Sequence, residues 1–221
     1  MNIDLLTGTG HSILLVLSYG LIGGLIKYID QAFDLGVFSK KTALFLAIPT
    51  AALMGSLMAL NGSSATIFLA IVIGLALTHK VDNIAFQTGL FFVILIPLFF
   101  SSVIQIQWIP FALLFAAGIG DEYTSDWADL KIKKRTIEEA LGHLKPIPLK
   151  QKILEMLFEH RVLMKIMVLI VVIAGLFQPV YLLAFLAFDF TYKAVELYSL
   201  QLKRYNINKS LTPNGKTTTT A

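Results

Sequence analysis

Seven apolar runs, at about 12–29, 42–60, 64–79, 86–105, 107–121, 162–177 and 180–200, fill most of the chain and leave room for few architectures. A spanning helix needs about 20 mostly apolar residues, and hydrocarbon is the solvent that tolerates so many of them. Only 14% of the 221 residues are charged, against about 25% in a soluble domain. The expected fold is all-α: a polytopic transmembrane bundle of about seven helices over residues 1–205. A disordered cytosolic tail is expected over 206–221.

The connections between the runs set the orientation. Three of them contain no Lys, Arg, Asp or Glu: Asn61-Gly62-Ser63-Ser64, Gln105 to Trp108, and Gln178-Pro179. The others are basic. Lys40 and Lys41 follow the first run, Lys80 the third, Lys131, Lys133, Lys134 and Arg135 the fifth, and Lys203 and Arg204 the seventh. Basic residues gather on the cytosolic side of membrane proteins. With the N-terminus outside and the C-terminus in the cytosol, none of the 18 Lys and Arg residues needs to lie in an outer loop. The chain is therefore expected in the cell membrane as a multi-pass protein. The same rule accounts for the net charge of +4 without a nucleic acid partner. There is no cysteine, which excludes thiol catalysis, thiolate metal sites and disulfides.

Segment 130–161, between the fifth and sixth runs, is the expected cytosolic element. Thr136-Ile137-Glu138-Glu139 fits a capping box that would start a short helix through about Leu144. Pro146 and Pro148 break it, and from Leu149 the apolar positions Ile153, Met156 and Leu157 predict an amphipathic helix at the interface.

Of the 14 carboxylates, all but Asp4 fall on the cytosolic side or in the half of a helix facing it. Three helices end in polar stripes. The first carries Lys27, Asp30 and Asp34, the fifth Glu122, Asp126 and Asp129, and the seventh Asp189, Lys193 and Glu196. These spacings put each trio on one helical face. His79, Lys80, Asp82 and Asn83 join them at the same depth, with Asp82 or Asn83 as the expected cap of the fourth helix. Asp189 lies ten residues beyond Pro179, which at about 1.5 Å per residue is roughly 15 Å into the membrane. An ionised carboxylate there costs about 2.5–3.5 kcal/mol and marks a functional candidate, with Lys193 as its expected partner. Carboxylates crowded at one depth repel unless cations stand among them. Mg²⁺ favours carboxylate oxygens together with substrate phosphates, and lysines hold phosphate as point charges.

Three short motifs carry resemblances. Asp30-Gln31-Ala32-Phe33-Asp34 is a D-x-x-x-D. With Glu122-x-x-x-Asp126 it resembles the paired acidic motifs of UbiA-type membrane prenyltransferases, which implies Mg²⁺ and an isoprenyl diphosphate on the cytosolic side. Gly118-Ile119-Gly120-Asp121 resembles the G-x-G-D of presenilin-type and prepilin-type intramembrane aspartyl proteases. That resemblance implies a second aspartate, Asp30, Asp34 or Asp189, sharing a proton with Asp121. Asp189-Phe190-Thr191-Tyr192-Lys193 resembles the last helix of microbial rhodopsins, which implies a retinal Schiff base on Lys193 with Asp189 as counter-ion. Each resemblance covers one motif and none spans the chain.

The expectation that joins most of these residues is a Mg²⁺-dependent membrane enzyme acting on a lipid or isoprenoid (di)phosphate. Asp30, Asp34, Glu122 and Asp126 would hold the metal, and Lys27, Lys80 and Lys193 the phosphate. Asp189 would orient Lys193 or take a proton. Two alternatives stand beside it: a proton- or cation-coupled transporter or channel with Asp189 and Lys193 as a relay, and an aspartyl protease using Asp121. Membrane lipids and the phosphate substrate are the expected partners.

Overall fold

The computed structural model describes residues 8–78, 83–100, 105–140 and 162–211. Among them are seven helices and no strand: α1 (Thr9–Asp34), α2 (Lys40–Leu60), α3 (Gly62–Leu77), α4 (Ile84–Phe100), α5 (Trp108–Ala140), α6 (Val162–Ile173) and α7 (Pro179–Leu211).

Local chemistry sets the helix ends. Asn61 alone separates α2 from α3, and its Oδ1 accepts the N–H groups of Ser63 and Ser64 at 2.9 and 3.2 Å. Asn83, one of the two expected caps, accepts the Phe86 N–H at 2.9 Å and starts α4. Pro110 falls in the first turn of α5 and Pro179 begins α7, positions where a missing N–H costs nothing. Gly36 and Gly175 turn the chain after α1 and α6 with φ of 64° and 72°, a region in which other residues are strained.

Two boundaries differ from the sequence expectation. The capping box at Thr136 starts no new helix, because α5 runs unbroken through Ala140. No Gly or Pro lies between Gly120 and Ala140 to interrupt it. Likewise α7 continues to Leu211, into the stretch expected as tail, with Lys209 in its last turn facing the negative end of the helix dipole. The amphipathic helix expected from Leu149 lies outside the described residues.

Each helix packs against particular neighbours: α1 against α2 and α7, α2 also against α3 and α4, α3 against α5, and α6 against α5 and α7. The order α1–α2–α3–α5–α6–α7 thus closes back on α1, with α4 laid along α2. Tyr19, Ile22, Phe68, Leu114, Val168 and Phe185 fill the shared core. Register shows the directions. Gly20, Gly24 and Gln31 of α1 meet Thr191, Val195 and Ser199 of α7 in the same order, so these two helices are parallel. Gly89 and Pro97 of α4 meet Ala47 and Gly55 of α2 in the same sense. The starts of α3 and α5 also lie together, where Gln107 binds Ser63 and Thr66.

Two helices, Gly10–Asp34 within α1 and the whole of α2, are long and apolar enough to cross a membrane. Gly62–Leu77, Ile84–Phe99 and Val162–Ile173 are shorter apolar helices.

Candidate functional site

The polar stripes of the first and seventh helices meet where α1 crosses α7. A Cβ on Gly23 would stand 2.8 Å from the Phe188 carbonyl carbon, whereas at Gly20 and Gly24 it would meet Thr191 at 3.5 and 3.6 Å. Close backbone approach through small residues is the usual packing of membrane helices. The Thr191 hydroxyl donates across the gap to the Gly20 carbonyl. Farther along, Lys27 is only 8% exposed, with its Nζ 2.6 Å from Asp30 Oδ2 and 4.9 Å from the centre of the Tyr192 ring. An ammonium taken out of water costs several kcal/mol unless it is paired. The Asp30 carboxylate and the Tyr192 ring face supply that pairing. One turn deeper toward the end of α1, the Ser199 hydroxyl donates to Oε1 of buried Gln31 at 3.0 Å.

Asp189 has a different partner from the expected one. Lys165 of α6 reaches it, Nζ to Oδ2 at 2.9 Å, while Lys193 pairs with Glu196 at 2.7 Å. The reason is lateral packing: α6 lies along α7 and brings its first-turn lysine beside Asp189, and Glu196 is one turn from Lys193 on the same helix. The Asp189 side chain is 36% exposed in the bundle, so protein does not seal it from its surroundings.

On α5, Asp121 and Glu122 are 3% and 5% exposed. Asp121 Oδ1 accepts the Leu163 N–H at 2.9 Å and Oδ2 the Met164 N–H at 2.7 Å. Both carboxylate oxygens therefore cap the start of α6 from a neighbouring helix. A Cβ on Gly120 would lie 3.0 Å from Leu163 Cδ1, so the G-x-G-D motif sits at a tight α5–α6 junction.

The metal candidates fall on two helices with different neighbours. Asp30 and Asp34 are on α1, beside α2 and α7; Glu122 and Asp126 are on α5, beside α3 and α6. Among the described residues no three His, Asp or Glu side chains are grouped to hold a metal ion. Of the phosphate-binding candidates, Lys27 and Lys193 lie on the paired helices α1 and α7, and Lys80 is outside the described residues.

Sequence reasoning missed Lys165, Tyr192, Gln31 and Ser199. Lys165 carried a usable signal, since it is a lone charge inside an apolar run, as Asp189 is. The other three are common polar residues, and only the α1–α7 register makes them special.

Beside this polar interface lies an apolar cavity of about 80 Å³ between α1, α2, α3 and α4. Ile26 and Ile29, on either side of Lys27 in sequence, form one wall; Ala51, Met54, Ile71, Phe86 and Val93 form others, with Thr50 as the polar member. The chain matches no family model, no curated protein and no solved structure, so the functional reading rests on this geometry.

Proposed function

We propose that the chain is a multi-pass membrane protein, N-terminus outside, that binds a lipid or isoprenoid phosphate at the cytosolic end of its bundle. The membrane reading is supported by charged and polar side chains buried inside the bundle while large apolar ones stand on its surface. Ser64, Thr66, Lys27, Gln31, Asp121, Glu122 and Ser199 are buried, while Leu14, Phe45, Phe91, Leu98, Phe99, Ile109, Ile173, Leu183 and Phe190 are exposed. Apolar side chains exposed in this number, on six of the seven described helices, belong in lipid. Helices α3 and α4, of 16 and 17 residues, reach about 24–26 Å. That is slightly less than the roughly 30 Å of hydrocarbon, a mismatch that local thinning accommodates.

The observation that carries the ligand reading is the buried Lys27–Asp30 pair on α1, whose sequence neighbours Ile26 and Ile29 line the apolar cavity. The hydrocarbon chain would run along the exposed apolar helix faces with only a short stretch entering the cavity, and its phosphate would compete with Asp30 for Lys27. The reaction class this fits is transfer or hydrolysis of the phosphate group.

The test is thermal unfolding of the purified protein with geranylgeranyl diphosphate, with and without Mg²⁺. At a ligand concentration 100 times Kd, binding adds about 2.7 kcal/mol of stability. The gain should vanish in Lys27→Gln and in Ala51→Met, which fills the cavity and leaves every charge in place. No gain under either condition would refute the ligand reading, and dependence on Mg²⁺ would bring the metal into the site.

The Lys165–Asp189 pair favours a second reading. Charged pairs at this depth mark ion or proton pathways. Lys193–Glu196 continues the line of charge toward the cytosolic end. Ion flux into liposomes that disappears in Asp189→Asn would select this reading over the first.

A further inference from the structure

The opposite end of the bundle holds a larger cavity that neither reading uses. Its volume is about 520 Å³, within the roughly 300–1,000 Å³ of small-molecule sites. The three connections without Lys, Arg, Asp or Glu converge on it: 61–63, 105–107 and 175–179. Its polar lining is four amides, Asn61, Gln105, Gln107 and Gln178, with the hydroxyls of Ser63 and Tyr181, and Phe177 supplies an aromatic wall.

The walls are held rigidly. A Cβ on Gly62 would lie 2.5 Å from the Gln105 carbonyl oxygen, so the starts of α3 and α5 are in backbone contact. Gln107 Nε2 donates to Ser63 Oγ at 3.2 Å, and the Phe177 and Tyr181 rings stand 5.8 Å apart. Gln105 and Gln178 are exposed residues of the lining, within reach of a ligand.

Helices α3, α5 and α7 all begin here, and free N-terminal N–H groups would favour an anion. Several of those donors are already engaged. Asn61 Oδ1 accepts from Ser63 and Ser64, Thr66 Oγ1 accepts from Gln107 N–H at 3.0 Å, and Pro179 has no N–H to offer. Among the described residues no charged side chain lines the cavity, so neither an anion nor a cation finds a counter-charge there.

We infer that this outer cavity binds an uncharged polyhydroxylated group, a sugar. Amides and hydroxyls both donate and accept, which suits vicinal hydroxyls, and an aromatic wall suits the apolar face of a sugar ring. The sugar could arrive free or as the headgroup of a glycolipid.

Trp108 is exposed and directly follows the lining residue Gln107, so its fluorescence serves as the reporter of binding. The experiment uses the Trp127→Phe variant, which leaves Trp108 as the single tryptophan, in a sugar-free detergent. Maltose is titrated as the free-sugar probe, nanodiscs with and without monoglucosyl diacylglycerol test the headgroup, and sulfate is the anion control. A saturable change with either sugar source is expected, weakened at least tenfold in Gln105→Ala/Gln178→Ala and absent with sulfate. No saturable change from maltose or the glycolipid would overturn the inference. So would sugar binding unaffected by the double substitution, or saturable binding of sulfate in place of sugar. Because the cavity lies at the far end from Lys27, failure here leaves the phosphate reading standing, and the reverse also holds.

Discussion

Gly23→Ala is the most informative change at the α1–α7 crossing. The added methyl would strike the Phe188 carbonyl oxygen and lie 2.8 Å from its carbon. Favourable carbon–carbon contacts are at about 3.5–4.0 Å, so the helices must part by roughly 1 Å. Phe188 is met through its backbone, so no rotamer change relieves the clash. Overpacking of this kind costs about 1–3 kcal/mol, and replacing a helical glycine by alanine returns about 1 kcal/mol of intrinsic propensity. The controls lie on the same helix. At Gly20 and Gly24 the new methyl meets its nearest atom at 3.5 and 3.6 Å, ordinary contact, while the propensity gain is the same. Gly23→Ala is therefore expected to be less stable than either control by about 1–3 kcal/mol. Unfolding in mixed micelles, followed by circular dichroism, measures the difference. If all three variants agree within about 0.5 kcal/mol, the close crossing is wrong, and the contact of Lys27 with Tyr192 falls with it.

Other changes test other parts of the structure. Asp121→Ala removes both acceptors that cap α6 and should cost about 2–3 kcal/mol, with Asp121→Asn, which keeps one acceptor, falling between it and the parent in the same unfolding assay. A double-mutant cycle of Lys165→Met and Asp189→Asn should show coupling of about 0.5–3 kcal/mol, and additive effects would contradict the pair seen between α6 and α7. Tyr19→Phe breaks the buried bond from Tyr19 Oη to Ser64 Oγ at 3.0 Å and should cost about 1 kcal/mol, with Ser64→Ala adding little on top of it.

The element plan was legible in the sequence, because apolar run length and cap residues act locally. Asn61 and Asn83 end or start helices through hydrogen bonds within three residues, which sequence order alone reveals. The three uncharged connections could likewise be grouped before any coordinates, and the structure gathers them around one cavity. Partner choice was not legible. Helical spacing, visible within one chain segment, pairs Asp189 with Lys193, whereas the face of α6 that meets α7 depends on packing between them. The capping role of Asp121 is hidden for the same reason: its acceptors serve N–H groups more than 40 residues away. At Thr136 the local signal was real but was overruled, since a capping box starts a helix only where the preceding residues leave the helical conformation.

Because the chain has no cysteine, single-cysteine reporters give a clean test of the proposed threading through a membrane. Gln105→Cys, Gln178→Cys, Lys41→Cys and Lys203→Cys all place the thiol at exposed positions. In intact cells a membrane-impermeant maleimide should label the first two and leave the lysine positions unlabelled until the membrane is permeabilised. Labelling of Lys41→Cys or Lys203→Cys in intact cells, or of only one of the glutamine positions, would contradict the seven-helix, N-outside arrangement.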